Sequence, residues 1–170
     1  PKPLRTVILK HRLRRKIIHY YMVLHPAGAD DEKLAVLKYL ETNPVSIFPY
    51  QFNNNYRPEL IEVFYDKDRR LRYVMLDDKK LYFRQQWTKR RIQRAYADLS
   101  REQDPGSPHR YLGNGFSVDE NDVIADIGAA EGNISLSVID RVNNVYLFET
   151  DSRWVDALKA TFEPYSEKAV

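Results

Sequence analysis

Along this chain the spacing of apolar residues changes from helical, to short runs broken by polar turns, to buried strands beside a glycine turn. Near the start, Leu13, Ile17, Ile18, Tyr21 and Leu24 recur at helical intervals, and Pro1 to His25 holds seven basic residues and no acid. That pattern predicts a basic amphipathic helix. A solvated helix packed by one face accounts for it, and contact with nucleic acid or a membrane surface is the other reading. A second helix is expected from a cap at Asp30 or Asp31, through Leu34, Leu37 and Leu40, to Thr42. Asn43-Pro44 stops it, because proline disfavours helical backbone in the residue before it.

Pro49 to Pro58 reads as a loop rich in Tyr, Phe and Asn. Three short runs follow, Ile61 to Tyr65, Arg72 to Leu76 and Leu81 to Arg84, rich in aromatic and β-branched residues. Asp-Lys-Asp and Asp-Asp-Lys-Lys turns separate them, which predicts a small antiparallel meander. Thr88 then caps a helix through Ile92, Tyr96 and Leu99 that ends near Gln103. Lys89, Arg90, Arg91 and Arg94 make its outer face basic, as a solvated face or a phosphate-reading one.

The last third has a different grammar. Val123 to Ile127 reads as a buried strand, Gly128 to Gly132 as a turn, and Asn133 to Arg141 as a helix. A second strand runs from Val145 to Phe148 with Glu149 at its carboxyl end, a second helix from Arg153 to Phe162, and Lys168 to Val170 begins a third strand. Gly128 and Glu149 are twenty-one residues apart. A strand–turn–helix–strand unit needs that interval to place an acid beside the ribose of a nucleotide-like ligand. Glycines after a strand can also serve only to make a tight turn. The flanking strands and the terminal acid favour a ligand.

Charge separates the two ligand classes that such a unit takes. A dinucleotide brings an anionic pyrophosphate, usually to Gly-x-Gly-x-x-Gly. Here the turn is Asp126-Ile127-Gly128-Ala129-Ala130-Glu131-Gly132, with two glycines and two carboxylates. Those acids repel a pyrophosphate and attract the sulfonium and ammonium of S-adenosylmethionine. Amides at the helix start, Asn133 onward, can still receive the donor's carboxylate. Glu149 accepts from ribose hydroxyls in either case.

These residues also resemble the FkbM-type methyltransferases, whose turn reads Asp-x-Gly-Ala-Asn-x-Gly and whose second strand ends in Phe-Glu-Pro. This chain departs at Ala130, where the family has Asn, and at Thr150, where it has Pro. The phrase Ser107-Pro108-His109-Arg110-Tyr111-Leu112 is similar to a segment of bacterial members with a long amino-terminal extension. The resemblance covers roughly residues 104 to 165. It implies a class I methyltransferase fold, S-adenosylmethionine as donor, and O-methylation of a hydroxyl, often on a sugar. It carries Asp126, Gly128, Ala129, Ala130, Glu131, Gly132, Asn133, Glu149 and Thr150 as donor contacts, with His109 and Tyr111 as further candidates.

Composition adds partners and compartment. The chain has 170 residues, and Tyr111 to Val170 carries four basic and eleven acidic residues, a net of seven negative charges. Pro1 to Arg110 carries a net of ten positive charges, so the two regions suit different partners. There is no cysteine, which excludes disulfides and thiolate metal sites and fits a reducing cytoplasm. His11, His19, His25 and His109 are scattered, so no metal is expected. No apolar run is long enough to span a membrane. The twelve tyrosines read as half-buried packing before they read as a stacking platform.

The expected fold is therefore α/β, the start of a class I methyltransferase Rossmann-like sheet. It follows a small α+β region with the meander, and the boundary is expected at residues 103/104. A full sheet of this kind needs about seven strands, so the chain reads as the amino-terminal part of a longer enzyme. It is expected to be inactive alone and to self-associate through an exposed sheet edge. An NAD-dependent oxidoreductase and a nucleic-acid-binding module remain the alternatives. Binding of NADH would favour the first, and salt-sensitive binding of generic RNA or DNA the second.

Overall fold

The computed structural model describes residues 4–24, 30–113 and 115–170, in two compact units divided between Tyr56 and Arg57. In the first unit, helix α1 (Leu4–His19) continues into a π-helical turn, Tyr20–Leu24. Its residues Leu13, Ile17 and Ile18 follow the helical spacing, but α1 buries none of its residues. Pro1 and His25, the ends of the expected basic segment, lie outside the described residues. Helix α2 (Asp31–Thr42) starts where the sequence places it, with Asp30 Oδ1 accepting from the Lys33 amide at 2.8 Å. It buries Leu37, Tyr39 and Leu40. The loop after it is tied to the helix by Asn53, which donates to the Tyr39 hydroxyl at 3.1 Å.

In the second unit the meander forms β1 (Phe64–Asp66), β2 (Leu71–Leu76) and β3 (Lys79–Phe83), antiparallel in the order β1-β2-β3. Arg70 and Asp77, at the two turns, take positive φ values of 55° and 54°. Aspartate tolerates that conformation better than most residues, because its short side chain can hydrogen-bond locally. Helix α3 (Lys89–Glu102) follows, with Thr88 Oγ1 accepting from the Arg91 amide.

The parallel pair β4 (Val123–Ile127) and β5 (Asn144–Phe148) forms a separate two-stranded sheet, in a register that sets Asp126 beside Leu147 and Ile127 beside Phe148. Between them run α4 (Asn133–Val138) and a 3-10 turn, Ile139–Arg141, and α5 (Ser152–Phe162) follows. Beyond α5 the chain returns alongside β5: Val145 donates to Lys168 O and Leu147 to Val170 O, each at 2.8 Å, with a parallel bridge at Ala169. The molecule is thus mixed α/β.

One continuous core joins the meander to the parallel sheet's helices. Leu71, Val74, Leu81 and Phe83 share a buried cluster with Leu136, Ile139, Val142, Val145, Trp154, Ala157 and Phe162. Each large side chain withdrawn from water here contributes about 1.5–3 kcal/mol. Polar pairs fix the alignment: the Tyr82 amide donates to the buried Thr161 hydroxyl at 3.0 Å, and Lys79 pairs with Asp140 at 2.7 Å. The meander therefore belongs with the last third of the chain. The expected boundary at 103/104 follows the end of a helix and the start of the family resemblance, whereas compaction follows the apolar side chains of β2 and β3, which are buried against α4 and α5.

The opposite face of the β4–β5 pair is open. Val123, Ile127, Tyr146 and Phe148 point away from the core and remain 56%, 84%, 41% and 54% exposed. Among the described residues β4 pairs only with β5. No helix of the described residues is long and apolar enough to cross a membrane.

Candidate functional site

The turn between β4 and α4 is built from three residues with positive φ: Gly128 at 81°, Ala130 at 47° and Gly132 at 73°. Gly132 has a second constraint. A Cβ there would stand 2.7 Å from Phe162 Cε2 and 3.0 Å from Leu158 Cδ2, so the glycine lets the start of α4 close onto α5. Gly128 is the opposite case, since a Cβ would meet nothing within 4 Å. The space above Gly128 is open.

Most of the turn's amides are already committed. Gly128 and Ala129 both donate to Phe148 O, at 2.7 and 3.1 Å, and Gly132 donates to Ala129 O at 2.6 Å. Ala130 donates to Glu149 Oε2 at 2.8 Å. A pyrophosphate site presents free amides to the ligand; here four of those N–H groups face protein acceptors instead.

Glu149 is the hub of this arrangement. Its Oε1 accepts from the Asp151 amide at 2.7 Å while Oε2 holds the turn. An ionised carboxylate has about four acceptor positions, so two remain for ligand hydroxyls. Beside it opens a groove of about 340 Å³, floored by Leu147, Val155, Leu158 and Phe162 and edged by Lys159. An acid next to an apolar floor suits a sugar carrying a flat apolar ring.

Asp126 is the next-to-last residue of β4 and takes the buried Ser135 hydroxyl on Oδ2 at 2.6 Å. Its Oδ1 makes no hydrogen bond among the described residues. Glu131 is half-buried within the turn, and burial raises its pKa above the usual 4.5; Arg84 opposes that rise, while Asp126 and Glu102 add to it. The two acids thus stand in one electrostatic neighbourhood. Asp151 caps α5 and is held well below the ordinary carboxylate range, at about 2, first by its hydrogen bonds with Arg153.

Asp126, Gly128, Ala129, Ala130, Glu131, Gly132, Asn133 and Glu149 are all in or against this turn, and Thr150 lies exposed between Glu149 and the cap of α5. His109 and Tyr111 sit on the exposed loop before β4, where their amides donate to Ser107 Oγ and Gln103 Oε1. From that loop it is Arg110 and Leu112 that line a groove with Asn133, Ser137 and Arg141. Two participants have no signature in the sequence. Ser135 is an ordinary helical residue until the fold puts it under Asp126. Arg84 directly follows β3, the last strand of the meander, yet its guanidinium meets Asp151 at 3.1 Å. Among the described residues no group of three or more His, Cys, Asp or Glu could hold a metal ion.

Comparison with protein-family models, with curated proteins and with solved structures gives no match to this chain.

Proposed function

We propose that this chain carries the donor-binding part of an S-adenosylmethionine-dependent methyltransferase, of class I and FkbM type, that methylates a hydroxyl acceptor such as a sugar. The observation that carries the reading is the commitment of the turn's amides to Phe148 O and Glu149 beside two carboxylates, Asp126 and Glu131. Such a turn has little to offer a pyrophosphate and a favourable field for a cation. Support for a Rossmann-like sheet comes from the parallel order β4, β5 and the returning segment at Ala169, with α4 and α5 packed on one face.

The residues present fit the donor. Open space at Gly128 admits it, Glu149 accepts from its ribose hydroxyls, and the apolar floor at Leu147 and Val155 covers its base. Asp126 Oδ1 and Glu131 receive its positive end, directly or through water. When bound, S-adenosylmethionine supplies a methyl group activated by its sulfonium. The contribution of these residues is positioning and charge complementarity, which is where methyl-transfer catalysis gains most of its rate.

The test exploits the one charge by which donor and product differ. In calorimetry on the intact protein, Asp126→Asn should weaken S-adenosylmethionine about tenfold and S-adenosylhomocysteine much less, as expected for loss of one charge–charge contact. Glu149→Ala should weaken both. Equal binding of both ligands by Glu149→Ala and the unaltered protein would sink the assignment, and tight binding of NADH instead would favour the oxidoreductase.

A further inference from the structure

The chain has two tryptophans, and both pack against one arginine. The Arg84 guanidinium carbon lies 4.2 Å from the ring centroid of Trp154 and 5.6 Å from that of Trp87. The two indoles meet edge to face at 5.2 Å, and Phe83 stacks on Trp87 at 5.8 Å. Arg84 Nη1 reaches Asp151 Oδ2 at 3.1 Å, with the arginine side chain 17% exposed. Its Nε is buried without a hydrogen-bond partner, so aromatic faces and Asp151 are what hold the group. Asp151 in turn sends its amide to Glu149 Oε1 at 2.7 Å. A chain of contacts therefore runs from the end of the meander to the acid of the candidate site.

We propose that Arg84 is a positioning residue of the donor site: clamped on Trp154 and Trp87, it fixes Asp151 and, through the Asp151 amide, the carboxylate of Glu149. This rests on the donor reading above and adds the meander to the site. Arginine suits the role because its planar guanidinium can stack and pair at once, which lysine cannot reproduce. Arg153 grips the same carboxylate, with its Nε 2.8 Å from Oδ1 and its Nη2 2.7 Å from Oδ2, but its side chain is 67% exposed and it stands only two residues away on α5. That fork is open to solvent and local to the start of α5, whereas Arg84 ties Asp151 to the meander.

The experiment compares Arg84→Met, Arg84→Lys and Arg153→Met in the intact protein, with two readouts. One is S-adenosylhomocysteine affinity by calorimetry. The other, without ligand, is the backbone amide resonance of Asp151, whose proton is bound to Glu149. Arg84→Met should weaken the ligand about tenfold and shift the Asp151 amide, Arg84→Lys should recover part of both, and Arg153→Met should change affinity by less than about threefold. If Arg84→Met fails to fold, Arg84→Lys against Arg153→Met decides the matter by the same two measurements. Affinity within about twofold of the unaltered protein, an unmoved Asp151 amide, or equal effects of the Arg84 and Arg153 variants would overturn the proposal. If the unaltered protein does not bind S-adenosylhomocysteine at all, the donor reading fails, and the Asp151 amide still decides whether Arg84 positions Glu149.

Discussion

The Glu149 carboxylate and the Ala130 amide are 2.8 Å apart, so the acid that ends one strand of the parallel pair holds the turn that follows the other. The bond makes the site a structural joint as well as a place for a ligand. Because its other oxygen takes the Asp151 amide, Glu149 also joins β5 to α5. Removing it should cost stability as well as affinity. Glu149→Ala leaves two N–H groups without their charged acceptor, and urea denaturation should register a loss of about 1.5–3 kcal/mol.

Gly132 tests the packing behind the turn. Gly132→Ala combines a positive φ with a Cβ 2.7 Å from Phe162 Cε2. Strain and overpacking together should lower stability by about 2–4 kcal/mol. Gly128→Ala shares only the backbone cost, about 1–2 kcal/mol, because nothing lies within 4 Å of its Cβ. It should nevertheless impair ligand entry. Equal stability losses in the two variants, measured by denaturation, would contradict the packing at Gly132.

Ala130 sits at φ 47° without a side chain that eases that conformation. Ala130→Gly should therefore raise stability by about 0.5–1 kcal/mol, the reverse of the usual glycine penalty. Asparagine, the residue of the resembled family at this position, also tolerates left-handed backbone. The thermal midpoint of Ala130→Asn should be no lower than that of the unaltered protein.

The carboxylates give stability two opposed pH dependences. The pKa of Asp151 is lowered to about 2 from 3.8, so its contribution is complete above the unfolded value and is lost as pH falls through about 2. That of Glu131 is raised from 4.5 by burial. Its contribution is complete below 4.5 and is lost as pH rises through the higher folded value. Glu131→Gln should accordingly make stability less dependent on pH from about 4.5 upward and raise it at neutral pH. Thermal unfolding across that range checks the sign, and an unchanged slope would mean that Glu131 ionises in the folded protein as it does in the unfolded chain.

The open face of the parallel pair predicts association. Ile127 and Phe148 stand side by side, 84% and 54% exposed, and β4 offers a free edge among the described residues. Sedimentation should find the chain self-associated, and Ile127→Lys should shift it toward the monomer. A chain that is monomeric at high concentration would contradict this use of the face.

Much of this architecture is legible in residue order because local chemistry specifies it. Asp30 and Thr88 cap the helices they precede, Val123 to Ile127 is a strand at the bounds its apolar run gives, though exposed at both ends where a buried strand is expected, and the Asp-rich turns fall between the meander strands. Local chemistry does not say where the meander goes. The Tyr82–Thr161 hydrogen bond and the Arg84–Trp154 stack join residues that share no period and no motif, so only the shape of the common core brings them together. For the same reason the glycine turn marks Asp126 and Glu149, but not Ser135 beneath one or Arg84 behind the other. Counting carboxylates in the turn suggests a cationic ligand; the amides donated to Phe148 O are a backbone fact that no residue name carries.

The central claim, that the turn from Asp126 to Gly132 receives a methyl donor, is tested most directly by titrating the intact protein with S-adenosylhomocysteine and, separately, with NADH. The account predicts saturable one-to-one binding of S-adenosylhomocysteine that Glu149→Ala weakens at least about tenfold, with no binding of NADH. Saturable binding of NADH, with no heat from S-adenosylhomocysteine, would contradict it.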